Sequence, residues 1–579
     1  MSGAVGVVGI FGVARLERGP VATVVVGGSF VLAGAWGRLP WWIAPTVVTV
    51  LLTTVIVRVN GRTAARWLLD WAGYRTGRTA RARDRVDPLS VQDVTVAAGV
   101  CGIHDAGATL VAMIQLAPNL DLPTVISESS LYTEDTVPVD ALLPMLHQYG
   151  LEIDIDIVTT AQRVRSASSY SMLYDQLIGP HPVVGDRRTW LVVRLDQERN
   201  LDALTRRGPV AVSGPRALAT AAHRIAGRLR ERGTAAHALP AEAVREATRL
   251  LHAGVELTDL RERWGHLESS VPGRFVSSYL IDWTRLDGAG LDDCWTWNRG
   301  RTTLVVSLAG GALGSRGLVR CVGPAPTMSP PGYLRPLGGR QSVAMLATLP
   351  TGTSTRDVPG DDSGDDLAPA ELLAELPIAI GPNGQILGAI SGQPRHTLAL
   401  PLFDPAHYNP QRRTIDVHAE LPVAQQIVLR AMVVGADVEV YSARPQRWSQ
   451  LVSVVGDPMS LRLADPAETG NDPAPDDGAP ATIAVFDQMP PRVSAAHTTV
   501  TISEPGTPHR RSADLSIDQV SATSVDVGIP MRTVRVELIE PRGESRYFEG
   551  PPASSAMSPP DAALEVSTTV PLPDKSRVR

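Results

Sequence analysis

The fold class of this 579-residue chain follows from one stretch of its sequence, TIDVHAELPVAQQIVLRAMVVGADVEVY (Thr414–Tyr441). The stretch begins with a strand pattern at Thr414–Ala419 and continues with a helix pattern at Pro422–Val433, which Gly435 stops. A second strand pattern follows at Asp437–Tyr441. A strand, a helix and a strand in succession form a crossover unit whose strands run parallel. The stretch therefore predicts a mixed α/β (or α+β) fold.

Further strand patterns extend this unit over residues 371–540. They lie at Thr482–Phe486, Thr498–Ser503 and Thr533–Ile539, and a polar loop rich in Pro and Asp precedes them at 464–480. Residues 541–579 lack dense runs of aromatic or branched side chains that could be buried. We therefore expect a disordered tail there.

A first unit of the same class is predicted over residues 87–350. LEIDIDIV (Leu151–Val158) alternates acidic and isoleucine side chains, which predicts a strand with one face in water. The other patterns are strands at Trp190–Leu195 and Val210–Val212, a helix after Ser213-Gly214-Pro215, a helix from Pro240 to Gly254, and a hairpin of Arg301–Ser307 with Leu318–Val322. Residues 351–370, which contain DDSGDD, have the composition of a flexible acidic linker.

Two apolar runs precede both units, over residues 19–57. Gly19–Gly37 and Leu39–Val57 are each 19 residues long without a charge, and only Arg38 separates them. At ~1.5 Å rise per residue each run spans about 28 Å, close to the thickness of a hydrocarbon core. A cleaved signal peptide would carry one short run and a cleavage site. We expect a transmembrane helical hairpin; the alternative is a hairpin buried in a soluble protein.

The distribution of arginine predicts the orientation of this hairpin. The segment 58–86 holds only two acidic residues, Asp70 and Asp84, against Arg58, Arg62, Arg66, Arg75, Arg78, Arg81, Arg83 and Arg85. The positive-inside rule therefore places a short N-terminus (1–18) and everything after the second span on the cytoplasmic side of the plasma membrane.

Three aromatic residues recur at helical spacing in the same basic segment. They are Trp67, Trp71 and Tyr74. Aromatic side chains among arginines are typical of a helix that lies in the lipid headgroup region. The alternative is a solvated basic linker.

Composition excludes several classes of function. The net charge of −6 argues against a general nucleic-acid binder, and 53 of the 54 basic side chains are arginine. The single lysine, Lys575, lies in the predicted tail, so a P-loop lysine or a Schiff-base lysine is excluded. Cys101, Cys294 and Cys321 stand far apart without metal-type spacing, which argues against a disulfide framework or a zinc ribbon.

Asp154 and Asp156 form a D-x-D pair, the arrangement that holds a divalent metal and a sugar-nucleotide diphosphate in many glycosyltransferases. Carboxylates are suitable ligands for Mg²⁺ or Mn²⁺. Every second residue of a half-exposed strand is polar in any case, so the pair is also explained by the strand alone.

The remaining candidate motifs have structural explanations. Gly310, Gly311, Gly314 and Gly317 follow a strand, but no helix pattern follows them, which favours a hairpin turn over a dinucleotide loop. Ser213-Gly214-Pro215 is explained as a helix start. Asp361, Asp362, Asp365 and Asp366 lack the spacing of a calcium loop. The sequence thus predicts no catalytic, cofactor-binding or metal-binding residue.

Three stretches resemble EccE, a membrane component of the type VII (ESX) secretion machinery of mycobacteria and related actinobacteria. They are TWLVVRLDQERNLDALTRRG (Thr189–Gly208) with GPRALATAAHRIAGRLRERG (Gly214–Gly233), YLRPLGGRQSVAMLATLP (Tyr333–Pro350), and LPVAQQIVLRAMVVGADVEVYSARPQRW (Leu421–Trp448). The resemblance covers most of residues 15–460. It implies a non-catalytic subunit at the edge of a membrane complex with EccB, EccD and the ATPase EccC, and it transfers no active-site residue or cofactor.

Two functions follow from these observations. The first is a structural subunit for protein export, contributing to assembly or stability of a secretion complex. The alternative is a membrane-anchored glycosyltransferase with a metal site at Asp154 and Asp156. The two differ in where they place the aspartates: on an open strand face in the first, and at the C-terminal edge of a sheet facing a pocket in the second.

Overall fold

The computed structural model describes residues 11–13, 46, 49, 57–59, 62–77, 90–464 and 481–548, apart from residues 129, 166–168, 287–289, 298–299, 310–313, 326–328, 361–363, 509, 511 and 531. The predicted membrane spans, the loop at 465–480 and the tail after residue 548 lie almost wholly outside this part. Among the described residues, no helix combines the length and the apolar character needed to cross a bilayer.

Two short strands flank the predicted hairpin. β1 pairs antiparallel with β2, and β2 with β3, in a small sheet. Their bounds are β1 Phe11–Val13, β2 Val57–Val59 and β3 Arg62–Thr63, and the helix α1 Ala64–Arg75 follows directly. The pairing brings the two ends of the segment 14–56 together.

Most of the remaining structure is two large sheets. The strands, numbered in chain order, are β4 Val91–Val96, β5 Gly99–Asp105, β6 Thr109–Leu116, β7 Thr124–Ile126, β8 Leu131–Tyr132, β9 His147–Gln148, β10 Leu151–Glu152, β11 Asp154–Gln162, β12 Asp186–Asp196, β13 Ala236–Ala238, β14 Arg261–Glu262, β15 Leu267–Glu268, β16 Phe275–Ile281, β17 Arg301–Leu308, β18 Gly317–Gly323, β19 Leu334–Pro336, β20 Gln385–Ile390, β21 Gln393–Leu400, β22 Arg413–His418, β23 Val438–Ser442, β24 Leu461–Leu463, β25 Ile483–Asp487, β26 Thr498–Ser503, β27 Leu515–Ser521, β28 Ser524–Ile529 and β29 Arg532–Leu538.

The α-helices after α1 pack on these sheets. They are α2 Val139–Leu142, α3 Ser169–Ile178, α4 Leu201–Thr205, α5 Val210–Glu231, α6 Ala241–His252, α7 Gln341–Ala347, α8 Ala370–Glu375, α9 Leu421–Val433 and α10 Gln446–Val455. Short 3-10 turns lie at Leu143–Leu146, Leu257–Asp259, Trp283–Arg285, Gly290–Trp295, Thr355–Asp357 and Ser545–Tyr547. The mixed α/β body that the sequence predicts is confirmed.

The first large sheet is antiparallel and carries helices on both faces. Its strands follow the order β14-β15-β16-β18-β17-β11-β12-β6-β5-β4, with β13 beside β6 and β19 beside β16. The apolar stripe of α5 packs on one face, together with Ile155 and Ile157 of β11. Helices α6 and α7 cover the other face, where Val158 and Trp190 point. The hairpin predicted around the glycine-rich turn is confirmed, since β17 pairs antiparallel with β18.

The second large sheet is half parallel. Its order is β24-β23-β25-β26-β22-β27-β28-β29-β20-β21-β7-β8, and the strands from β24 to β27 run parallel. The predicted crossover is confirmed as β22, α9 and β23, although β25 and β26 lie between its two strands. Every residue of α9 except Pro422 is buried, which explains its nearly continuous apolar sequence.

Backbone contacts join the two sheets. Val184 and Asn383 exchange two hydrogen bonds, one through each backbone amide. A Cβ on Gly185 would lie 2.6 Å from Cβ of Val434, so only glycine lets β12 approach the end of α9 this closely. The N-terminal strands β7 and β8 belong to the second sheet, so the chain passes from one sheet to the other early.

Three local predictions are wrong. Val210–Val212 is not a strand but the first turn of α5, because Pro209 occupies the N-cap with a suitable fixed φ. Residues 541–548 of the predicted tail are packed, with Glu544 and Tyr547 buried. The described residues of the predicted linker at 351–370 are also packed, and Thr355 and Val358 are buried.

Helix α6, preceded by Pro240 and followed by Gly254, agrees with its prediction.

Candidate functional site

Asp154 and Asp156 lie on a covered face of the first sheet, not in water as the alternation predicted. Asp154 is 8 % exposed and Asp156 is 1 % exposed. Both side chains point to the face that α6 and α7 cover, while Ile155 and Ile157 point to the α5 face. The pair therefore has neither the open position expected for a structural strand nor the C-terminal sheet edge expected for a glycosyltransferase, since Asp154 begins β11.

Arginine side chains hold both carboxylates. Asp154 accepts hydrogen bonds from Nη2 of Arg199 at 2.7 Å and from Nη2 of Arg356 at 2.8 Å. Asp156 accepts a hydrogen bond from Nη1 of Arg194. A metal ion at this D-x-D pair would have to displace these guanidinium groups, and charge-assisted hydrogen bonds of this kind are strong.

The segment after α7, Leu349–Arg356, covers the aspartates. For this reason the prediction of a water-exposed strand face and the prediction of a flexible linker at 351–370 are both wrong. Leu349 and Thr351 accept hydrogen bonds from Arg194 through their carbonyl oxygens, at 2.9 Å and 3.2 Å. Burial lowers the pKa of Arg194 to about 10, and the nearby Asp154 and Asp357 oppose that shift. The acidic composition of 351–370 gave no sign of this cover, because Arg356 and backbone carbonyls supply the contacts.

The other acidic candidates are ion-paired as well. Asp366 is buried with Arg316, whose Nε lies 2.8 Å from Oδ2 of Asp366, and Asp365 lies 3.2 Å from Nη2 of Arg335. Asp361 and Asp362 lie outside the described residues. Within the described ranges, no group of three or more His, Cys, Asp or Glu side chains could hold a metal ion.

The glycine and serine motifs fill structural positions. Gly314 has a φ of +64° in the turn between β17 and β18, and Gly317 lies against Ile281 and Trp283. Ser213 lies inside α5 and donates a hydrogen bond to the carbonyl oxygen of Leu204 at 3.1 Å. Gly310 and Gly311 lie outside the described residues.

The three cysteines are buried free thiols. Burial raises the pKa of Cys101 and of Cys321 to about 12. A thiol is nucleophilic as its thiolate, so these side chains are poorly suited to covalent catalysis.

Helix α1 confirms the helix predicted for the basic segment after the second apolar run. Its Trp67 and Tyr74 pack against Trp264 of the body, with ring centroids 5.4 Å and 5.5 Å apart, respectively. Asp70 is buried in an ion pair with Arg340. The sequence had assigned Trp67 and Tyr74 to the headgroup region, but in the structure both lie against protein.

Two glycines form the seat of Trp264. A Cβ on Gly338 would lie 2.7 Å from Nε1 of Trp264, and one on Gly339 would lie 2.6 Å from its Cζ3. The indole of Trp264 therefore contacts the backbone of Gly338 and Gly339 on one side and the aromatic rings of α1 on the other. Gly338, Gly339 and Arg340 all belong to the stretch Tyr333–Pro350 that resembles EccE.

A basic cleft opens at the start of α5. It measures about 360 Å³ and is lined by Tyr149, Leu151, Arg207, Gly208, Pro209, Val212, Ser213, Arg216, Ala217, Thr220 and Arg224. The lining holds three arginines and no acidic side chain, in a chain whose net charge is −6. A cleft of this kind is suited to carboxylate or other anionic groups, since guanidinium binds them through paired hydrogen bonds.

Tyr149 forms the exposed rim of this cleft. Its backbone has a φ of +53°, and its side chain is 73 % exposed. The guanidinium carbon of Arg224 lies 3.9 Å from the centre of its ring, and Arg207 donates a hydrogen bond to its carbonyl oxygen at 2.6 Å. This cleft was not predicted from the sequence. Its one local signal in the sequence is the density of arginine in residues 206–230.

Comparison with known proteins places this cleft in the part of the chain that matches a family. Residues 183–281 match the family model described as type VII ESX secretion system translocon, EccE. EccE2 of the ESX-2 secretion system of Mycobacterium tuberculosis is 26 % identical over 565 residues, which is 93 % of this chain and 93 % of that protein.

The chain is similar to EccE proteins.

Two further relatives support this result. EccE1 of the ESX-1 system of Mycolicibacterium smegmatis is 28 % identical over 56 % of this chain and 66 % of its own length. EccE5 of the ESX-5 system of Mycobacterium marinum is 26 % identical over 45 % of this chain and 65 % of its own length. The resemblance to EccE of type VII (ESX) secretion is thus confirmed. The family-matched segment supplies every residue of the basic cleft except Tyr149 and Leu151, and it supplies Trp264.

Proposed function

We propose that this EccE relative is a structural, non-catalytic membrane subunit of a type VII (ESX) protein-secretion complex, contributing to assembly or stability of the complex. The observation that carries the proposal is the similarity to EccE2 of an ESX-2 secretion system along 93 % of both chains. The partners we propose are relatives of EccB, EccC and EccD, with the EccC-like ATPase as the source of energy.

The buried ion pairs support a non-catalytic role over the glycosyltransferase alternative. Asp154 and Asp156 are each held by arginine, and Arg194, which holds Asp156, is itself bound by two backbone carbonyls. A sugar-nucleotide enzyme would need these carboxylates free to bind a metal and open to a pocket. We therefore assign them to the stability of the first sheet.

The proposed membrane topology has two spans at 19–37 and 39–57 and both termini in the cytoplasm, in the plasma membrane. Pairing of Phe11–Val13 with Val57–Val59 supports it, because a hairpin of two spans returns the chain to the side where it entered. The arginines after the second run support the cytoplasmic assignment of that side.

We propose the basic cleft as a surface through which a partner subunit binds. Exposed Tyr149 and Val212 border three arginines there, and protein interfaces are rich in tyrosine and arginine. An acidic segment of a partner would complement the cleft.

The test is purification of the full chain in mild detergent, followed by mass spectrometry of the proteins that remain bound. We expect the other subunits of one secretion complex with the wild-type chain, and at least about tenfold less of one of them with Arg207→Glu combined with Arg216→Glu. Arg395→Glu, at an exposed arginine on β21, is the matched control and should not reduce recovery. A chain that purifies without secretion subunits would contradict the proposal. Full recovery with the double variant would exclude only the cleft.

A further inference from the structure

Helix α1 has two faces with different surroundings. Trp67, Asp70 and Tyr74 form the face that packs on Trp264 and Arg340 of the body. Leu68, Trp71, Ala72 and Arg75 recur at the spacing of a second helical stripe, and all four are exposed. The side chains of Leu68 and Trp71 are 59 % and 55 % exposed.

An exposed leucine and tryptophan on one turn of a docked helix are costly in water, because apolar area is left unburied. Singly exposed apolar residues are common on protein surfaces, so exposure alone would decide nothing. Here the pair lies 11 and 14 residues after the end of an apolar run of 19 residues, Leu39–Val57, that we propose as a membrane span. A helix in this position lies within reach of the bilayer surface.

The charge around the helix indicates the kind of surface it meets. Eight arginines lie between residues 58 and 85, against two acidic residues. One of the two, Asp70, is already paired with Arg340 and is buried against the body. Arg75 at the end of α1 is exposed, and the sequence of the segment is strongly basic, which complements the anionic headgroups of a cytoplasmic leaflet.

We propose that α1 lies in the headgroup region of an anionic bilayer through Leu68 and Trp71, while its other face holds the body through Trp264 and Arg340. This inference rests on the membrane anchor of the proposed function and adds to it the lipid surface as a partner of α1. Tryptophan suits this position because its ring is apolar and its N–H is polar. The helix then sets the height and the orientation of the body relative to the membrane.

The seat of Trp264 makes this connection specific. Gly338 and Gly339 leave room for the indole, and Arg340, the next residue, reaches Asp70. One short stretch of the body thus supplies both contacts to the helix. A flexible tether between membrane and body would need neither.

The test places a fluorescent probe on α1 in the full chain, reconstituted into vesicles of phosphatidylethanolamine and phosphatidylglycerol. Leu68→Cys is labelled with an environment-sensitive dye, and Val493→Cys, at a fully exposed loop position of the body, is the matched control. The three native cysteines are buried and give little background. We expect nitroxide-labelled lipid to quench the probe at position 68 at least about twofold more than the probe at 493, and aqueous iodide to quench it less.

Three results would overturn the inference. Equal quenching of both probes by iodide would place position 68 in water. Protection from iodide without quenching by lipid would mean that protein covers the stripe, either a partner or a second copy. If the chain does not float with the vesicles after an alkaline wash, the proposed anchor itself fails and the inference fails with it. Flotation thus separates the failure of the anchor from the failure of the helix assignment.

Discussion

Asp156 and Arg194, on neighbouring antiparallel strands at the centre of the first sheet, form an ion pair in which both side chains are almost fully buried. The residue opposite Arg194 in the register is Asp154, so Arg194 reaches diagonally to Asp156 and leaves Asp154 to Arg199 and Arg356. These ion pairs stabilise the layer of side chains on this face of the first sheet, which the segment Leu349–Arg356 covers.

Replacing Asp156 should therefore destabilise the body. Asp156→Asn leaves a buried guanidinium without its counter-charge, a change that costs roughly 3–5 kcal/mol in comparable buried pairs. Asp202→Asn, at an exposed position of α4, should cost under about 0.5 kcal/mol. Urea unfolding of the full chain in mild detergent, followed by tryptophan fluorescence, measures both. An Asp156→Asn chain with wild-type stability but no export activity would instead favour a catalytic carboxylate.

Glu544 provides a second test of a buried charge. It is fully buried and accepts hydrogen bonds from the hydroxyl of Tyr170, from Nε2 of Gln426 at 2.7 Å and from Nη2 of Arg430 at 3.1 Å. Glu544→Ala should lower the free energy of unfolding by roughly 3–5 kcal/mol, because Arg430 stays buried without a partner charge.

The control for this prediction is Glu540→Ala, four residues earlier and exposed, which should change stability by less than about 0.5 kcal/mol. Equal effects of the two variants in thermal unfolding would show that residues 541–548 do not pack as described.

His252 should make stability depend on pH. Burial, and then the nearby Arg320, lowers the pKa of His252 to about 4, although its place at the end of α6 would by itself favour the charged form. The unfolded histidine has a pKa near 6.5, so between about pH 6.5 and 4 the unfolded state binds a proton that the folded state does not. The free energy of unfolding therefore falls as the pH drops through that range, by roughly 2 kcal/mol at pH 5 from this group.

His252→Gln should remove this component, which comparison of unfolding at pH 7.5 and pH 5 would detect. His147→Gln, at an exposed histidine, should keep the wild-type dependence. The same loss of stability in wild type and in His252→Gln would assign the pH dependence to other groups.

The membrane topology predicts labelling at one position of the hairpin. A cysteine at Gly37, beside the turn between the proposed spans, should react with an impermeant maleimide in intact cells, because in the proposed topology only this turn reaches the far side of the membrane. A cysteine at Val493 should react only after the cells are opened. The reverse pattern would invert the topology.

The sequence predicted local elements better than their environment. The strands and helix of Thr414–Tyr441 form as expected, because hydrophobic period and the stop at Gly435 are local signals. That β25 and β26 insert between β22 and β23 could not be read from the stretch, since their pairing depends on residues 483–503. Leu151–Val158 shows the same limit. Its alternation predicted one strand face in contact with water, whereas arginine side chains and the distant segment Leu349–Arg356 cover that face.

The candidate surfaces depended even more on distant contacts. The sequence predicted that Trp67 and Tyr74 lie on one helix, but only the fold shows that both rings pack against Trp264. Tyr149 lies more than 50 residues before the arginines of its cleft. The division of the body into units at 87–350 and 371–540 stays a prediction.

Native gel electrophoresis of the secretion complex, from cells with and without this chain, tests whether the chain is a structural subunit. The proposal of a structural subunit predicts that removing the chain lowers the abundance of the membrane complex or shifts it to a smaller size, and that the wild-type chain and Arg395→Glu restore it. A complex of unchanged size and abundance, in cells that have lost export, would contradict the account and require an activity of the chain outside assembly.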